Sequence, residues 1–238
     1  MSSNDKRDLR PSSRSQVDHF LRQVAATPST KRAASGGRLI FAMDATASRE
    51  PTWDTACQIQ SEMFSETAGL GGLSLQLCYY RGFREFHASE WVDNSASLVP
   101  LMTSVFCLGG HTQIERVLRH ALTEQKRRKL DALVFVGDCM EEDADKLCAL
   151  AGELGLQGVP IFLFHEGLNG GAGRIFQQLA RLSRGAYCRF DSGSAEQLKA
   201  LLSAVAVFAA GGRRALEDFG KSRGGVVRQL THQVGKQS

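Results

Sequence analysis

Residues 38–48 read RLIFAMDATAS, an apolar run that delivers Asp44, Thr46 and Ser48 at alternate positions. Apolar side chains at successive positions, rather than at every second one, describe a strand covered on both faces. Three short oxygen-bearing side chains spaced two apart can turn toward one point just beyond such a strand. A hard cation is the natural occupant of that point. Pro51, in the PTWD that follows, suits the first turn of a helix, so the stretch reads strand, loop, helix.

The same rhythm continues along the chain. LSLQLCYY (73–80) and FREFHASEW (83–91) read as strands, and the Arg81-Gly82 between them permits a tight antiparallel reversal. SASLVPLMTSVF (95–106) reads as a helix bent near Pro100, and QIERVLRHALTEQKRR (113–128) as a strongly amphipathic one. DALVFVG (131–137), VPIFLF (159–164) and AYCRF (186–190) then alternate with helices expected over 142–154, 172–183 and 194–210. Apolar strands alternating with amphipathic helices define an α/β fold. The expected form is a doubly wound, mainly parallel sheet of about six strands, with one antiparallel edge strand and helices on both faces.

The ends differ from this body. Residues 1–37 are expected to be a disordered basic segment with a short amphipathic helix (16–25) and a linker; 38–211 form the domain, and 212–238 a basic tail. Residues 1–39 carry a net +5 and 213–238 a net +4, against −5 for the middle, so the total of +4 conceals a mildly acidic body. Basic ends of this kind fit solvated termini better than a nucleic-acid surface. KRRK (126–129) closes a helix, where cations are favoured by the dipole. The longest apolar stretch, AVAVFAA (204–210), falls far short of the ~20 residues a bilayer requires, and no secretory signal is expected at the polar N-terminus. Six scattered cysteines without a CxxC pair fit buried thiols in a reducing cytoplasm.

In open α/β sheets the ligand lies beyond the carboxyl ends of the strands. Three loops there bear short oxygen donors: D44-A-T-A-S48 after the first strand, G109-G-H-T112 before the long amphipathic helix, and Asp138 at the end of VFVG. Two carboxylates and three hydroxyls suit Mg²⁺, with Mn²⁺ or Ca²⁺ as alternatives, and no set of thiolates or imidazoles is present for zinc. Each loop taken alone has a simpler reading, with Asp44, Ser48 or Thr112 capping the helix that follows.

The three elements together resemble the metal-ion-dependent adhesion site of von Willebrand factor A domains, of the intracellular bacterial type. That pattern is Asp-x-Ser-x-Ser, then a separate Thr, then a separate Asp. Here Thr46 stands for the first serine, and Cys139 stands where glycine commonly follows the last aspartate. The resemblance implies that Asp44, Thr46, Ser48, Thr112 and Asp138 hold the metal, and that a partner protein completes its shell with a Glu or Asp. It implies a non-enzymatic adaptor, with AAA+ ATPases of the MoxR or chelatase type as candidate partners by analogy. Two alternatives stand beside it. One is a Mg²⁺-dependent phosphotransferase or hydrolase using Asp44, which would need a second acid where Thr46 stands. The other is a metal-free structural scaffold of the same fold. GLNGGAG (167–173) follows a late strand rather than the first, so it reads as a flexible connection and not as a nucleotide loop.

Overall fold

The computed structural model describes residues 14–26, 37–54, 57–58, 73–93, 97–190 and 203–209. Strand β1 (Gly37–Asp44) is buried at all eight positions and pairs in parallel with both β2 (Leu73–Arg81) and β4 (Ala132–Gly137). The sheet has six strands in the order β3-β2-β1-β4-β5-β6, where β3 is Glu85–Ala88, β5 Ile161–Glu166 and β6 Ala186–Phe190. Every pairing is parallel except that of β2 with β3, the antiparallel edge. β4 and β5 are also buried throughout, whereas β3 alternates between exposed and half-buried residues. These are the patterns of interior and edge strands, respectively. Gly82, at φ +57°, takes the left-handed turn conformation that joins β2 to β3.

Helices cover both faces. Leu39, Phe41 and Met43 pack with α1 (Arg14–Ala26), Trp53, α2 (Leu98–Thr103) and helical residues 203–209. Ile40 and Ala42 point the other way, toward α3 (Ile114–Arg127), α4 (Ala144–Leu156) and α5 (Gly170–Leu182). The split follows from the two-residue period of a strand, which sends neighbouring side chains to opposite faces. α1 docks on the domain. Its Phe20, Leu21 and Val24 are buried, and the Phe20 ring lies 6.3 and 5.2 Å from those of Phe162 and Phe164.

Several boundaries differ from expectation. Residues 95–96 of the expected 95–106 helix lie outside the described residues, and the helix ends early, at Thr103 in α2. Pro100 sits in the first turn of α2, where its missing N–H costs no bond, so it does not bend the helix. The chain after Thr46 enters a 3₁₀ turn (Ala47–Thr52) before any α-helix. The glycines of GLNGGAG are not a flexible connection: Asn169 caps α5 by accepting the Ala172 N–H at 3.1 Å, and Gly170–Gly173 form its first turn. A Cβ on Gly173 would lie 3.2 Å from His165 Nδ1 and the Tyr187 hydroxyl, so the glycine permits close helix–sheet packing there. The expected disordered N-terminus, the linker, the basic tail, most of the helix after Pro51 and the start of the 194–210 helix lie outside the described residues.

Among the described residues no helix is long and apolar enough to cross a membrane. The strand order places the site. The chain winds from β1 toward β2 in one direction and then returns to β4 on the other side of β1. The crevice between the carboxyl ends of β1 and β4 is therefore the switch point of the sheet.

Candidate metal centre

Asp44 ends β1 in that crevice and is fully buried. Its Oδ1 accepts the Thr46 N–H at 2.8 Å and its Oδ2 accepts the Tyr80 hydroxyl at 2.9 Å. Burial raises the Asp44 pKa above the ordinary carboxylate range, as does the charge of Asp138, while the bonds from Thr46 and the Arg49 charge pull it back. Burial and the Asp44 carboxylate push Tyr80 well above a usual phenol, so it stays a neutral donor. The Thr46 and Ser48 hydroxyls are 3.1 Å apart, so the alternate spacing does turn them together.

Asp138 follows β4 directly. Asp44, Asp138 and Cys139 each place a ligand-type atom within 4.8 Å of the others. Asp138 Oδ1 is buried with no hydrogen-bond partner. Gly137 makes this approach possible, because a Cβ there would lie 2.8 Å from the Phe135 ring and 3.4 Å from Asp44 Cβ. His165 Nε2 is 3.1 Å from the Asp138 carbonyl and Nδ1 is 2.9 Å from the Tyr187 hydroxyl. Burial lowers the His165 pKa, so the ring is neutral. A carbonyl can only accept, so the proton sits on Nε2 and Nδ1 accepts from Tyr187. Arg184 is the one non-glycine at positive φ among the described residues, so Cys139 follows Asp138 without adopting the backbone a glycine would favour. Its thiol is pushed up to about 12, chiefly by burial and then by the Asp138 and Asp44 charges, and is therefore protonated.

Thr112 belongs to a loop stitched to both neighbours. Its Oγ1 accepts the Glu141 N–H at 3.1 Å and its own N–H donates to Glu141 Oε2 at 3.2 Å. Leu108 in the same loop bridges to Thr46 and donates its N–H to the Ala45 carbonyl at 3.1 Å. Thr112 does not cap α3. Residue 113 occupies the cap position without a side-chain bond, and Glu142 accepts the N–H groups of Ile114 and Glu115 at 2.7 and 2.8 Å instead. Thr46 likewise makes no capping bond at the 3₁₀ turn. Capping therefore does not account for either hydroxyl.

Sequence reasoning missed the supporting residues. Tyr80 is level with Asp44 in the β1–β2 register, and that register is the signal that could have found it. Arg49 carries no such signal. Its side chain is wholly buried, donates through Nε to Glu166 at the end of β5 at 2.8 Å, and through Nη1 to the Asp44 carbonyl at 2.7 Å. The pair anchors the 44–49 loop across the sheet. His111 is exposed, facing Glu141 and Phe83.

The fold is that of von Willebrand factor A domains. The chain is similar to the crystal structure of the SpRpn10 VWA domain at 13% identity and a TM-score of 0.57, over 70% of this chain and 94% of that one. The vWF domain of the type V pili tip protein Mfa5 from Porphyromonas gingivalis matches at 10% identity and a TM-score of 0.59, over 75% of this chain and 98% of that one. A von Willebrand factor type A structure from Catenulispora acidiphila matches at 13% and 0.59, over 73% of this chain and 43% of that one. No family model matches the sequence, and no curated protein does.

Proposed function

We propose that the protein is a metal-dependent protein-binding module in which Asp44, Thr46, Ser48, Thr112 and Asp138 hold a Mg²⁺ ion. The observation that carries the reading is Asp138 Oδ1, a buried oxygen without a hydrogen-bond partner, on a residue whose carboxylate lies within 4.8 Å of the Asp44 carboxylate. An orphaned buried acceptor beside a like charge is costly unless a cation joins them. The donor set fits a hard ion. Each Asp44 oxygen holds one donor and keeps a lone pair, and Asp138 Oδ1 and the Thr46 and Ser48 hydroxyls likewise have acceptor capacity to spare. Thr112 Oγ1 spends one lone pair on the Glu141 N–H and keeps the other. The protonated Cys139 thiol is a soft group that a magnesium-sized ion does not recruit.

The ion, when bound, offers an open position to one anionic oxygen of a partner. The chain's residues orient the hydroxyls, exclude water behind Asp44, and keep the charge of the cage low enough for an added carboxylate to be welcome. Thr46, standing where an aspartate-nucleophile enzyme needs a second acid, favours binding over catalysis. In the same reading the module acts in the cytoplasm, in keeping with six cysteines present as thiols, beside an AAA+ ATPase of the MoxR or chelatase type, by analogy with intracellular domains of this kind.

Isothermal titration with MgCl₂ and MnCl₂ tests the metal site. One ion per chain is expected for the wild type and none for Asp138→Ala. A pull-down from lysate with Mg²⁺ or chelator, repeated with Asp138→Ala, tests the adaptor role. Equal heats for the two proteins, or equal partner recovery in all four lanes, would overturn the reading.

A further inference from the structure

Resting on that metal-dependent reading, we propose that Phe83, Phe106 and Leu108 form a specificity ridge beside the centre. The ridge selects partner segments whose metal-binding Glu or Asp is flanked by an apolar or aromatic side chain. Single exposed apolar residues are ordinary on a protein surface. Here three of the seven large exposed hydrophobics among the described residues, Phe83 at 74%, Phe106 at 57% and Leu108 at 37%, come from two segments that touch. The Gly82 N–H donates to the Leu108 carbonyl, and a Cβ on Gly110 would collide with the Gly82 backbone. The Phe83 ring lies 5.5 Å from that of His111.

The ridge is also held rigidly. The Arg81 guanidinium stacks 4.1 Å from the Phe106 ring centroid, donates to the Phe106 carbonyl at 3.2 Å, and is itself fixed by Glu85 at 2.8 Å. Gln113 Nε2 donates to the Arg81 and Gly82 carbonyls at 3.2 and 3.3 Å. Scaffolding spent on exposed rings pre-organises them for contact, which lowers the entropy cost of binding a partner over them. Continuity with the centre is direct. Leu108 bridges to Thr46 and bonds to Ala45, so the apolar ridge begins at the loop bearing two of the proposed ligands. A partner that offers a carboxylate to the centre must lay its neighbouring residues over these side chains.

The probe is a phage-displayed library of random dodecapeptides, selected on the immobilised full chain in Mg²⁺ and read by sequencing. The recovered peptides are then titrated against the wild type and Phe83→Ser/Phe106→Ser, which alters only exposed side chains and whose melting temperature is checked. Enrichment of an acidic residue with an apolar neighbour is expected, with binding lost in chelator and weakened about tenfold or more by the double substitution. Acidic, metal-dependent peptides without apolar bias, or with equal affinity for the variant, overturn the ridge and leave the metal reading intact. Apolar peptides that bind equally in chelator overturn the metal reading, and the proposal with it. No enrichment at all, or a metal-dependent dimer of the chain that the double variant abolishes, also overturns the proposal, the latter in favour of a second copy as the occupant.

Discussion

Replacing Asp44 by asparagine is expected to stabilise the metal-free protein and to abolish its response to Mg²⁺. The Asp44 carboxylate is fully buried, with an Asp138 atom within 4.8 Å. Two unit charges at that separation repel by about 3 kcal/mol at an effective dielectric of ~20. Asparagine keeps both contacts: Oδ1 accepts the Thr46 N–H, and Nδ2 donates to the Tyr80 hydroxyl once that hydroxyl rotates. Turning two charge-assisted bonds into neutral ones, and losing the attraction of Arg49, returns about 1–2 kcal/mol. A net gain of roughly 1–2 kcal/mol remains, worth a few degrees in Tm for a chain of this size. The pH dependence has a definite sign. The folded Asp44 pKa is raised above its unfolded value, first by burial, so the native state binds this proton more tightly. Its contribution is therefore greatest below pH ~4 and is lost as pH rises through the folded pKa. The advantage of the variant should accordingly widen from pH 4.5 to pH 7.5. Urea unfolding at both values, with chelator and with Mg²⁺ at 100 times its Kd, measures each term; the ion should add about 2.7 kcal/mol to the wild type alone. A variant less stable than the wild type at pH 7.5 in chelator would refute the charge argument. Equal stabilisation of both proteins by Mg²⁺ would refute the site.

Two further outcomes follow from neighbouring contacts. Glu166→Gln strands the buried Arg49 guanidinium and should cost about 3–5 kcal/mol, while Arg49→Met with Glu166→Leu should cost less, since it leaves no unpaired guanidinium and its remaining loss is the donor to the Asp44 carbonyl and the charge facing Asp44; equal losses in denaturant unfolding would count against a charge effect. Gly110→Ala forces the 109–112 loop off the Gly82 backbone and should cost about 1–3 kcal/mol while weakening Mg²⁺ binding in calorimetry, and an unchanged metal affinity would show that Thr112 is not a ligand.

Much of the architecture was legible because it depends on local periodicity. Leu39–Met43 and Leu133–Val136 are apolar without alternation, Ile114–Leu122 repeats at helical spacing, and each pattern states how many faces its element buries. The alternate spacing of Asp44, Thr46 and Ser48 is also local, and its consequence, two hydroxyls 3.1 Å apart, needs only the backbone of one loop. The glycines of 167–173 misled for the opposite reason. Their flexible composition was overridden by the Asn169 cap and by the space that Gly173 leaves for His165 and Tyr187.

By itself the sequence determined which segments are buried strands, which are amphipathic helices, and which loops carry oxygen donors, since these are properties of side chains a few residues apart. Only the tertiary structure decided that β4 returns beside β1, so that Asp138 meets Asp44 across 94 positions of chain, that the Tyr80 hydroxyl donates to Asp44, and that Arg49 reaches Glu166. Those pairings depend on strand order and register. A one-residue slip in either would leave every local pattern unchanged while sending the same side chains to the opposite face of the sheet.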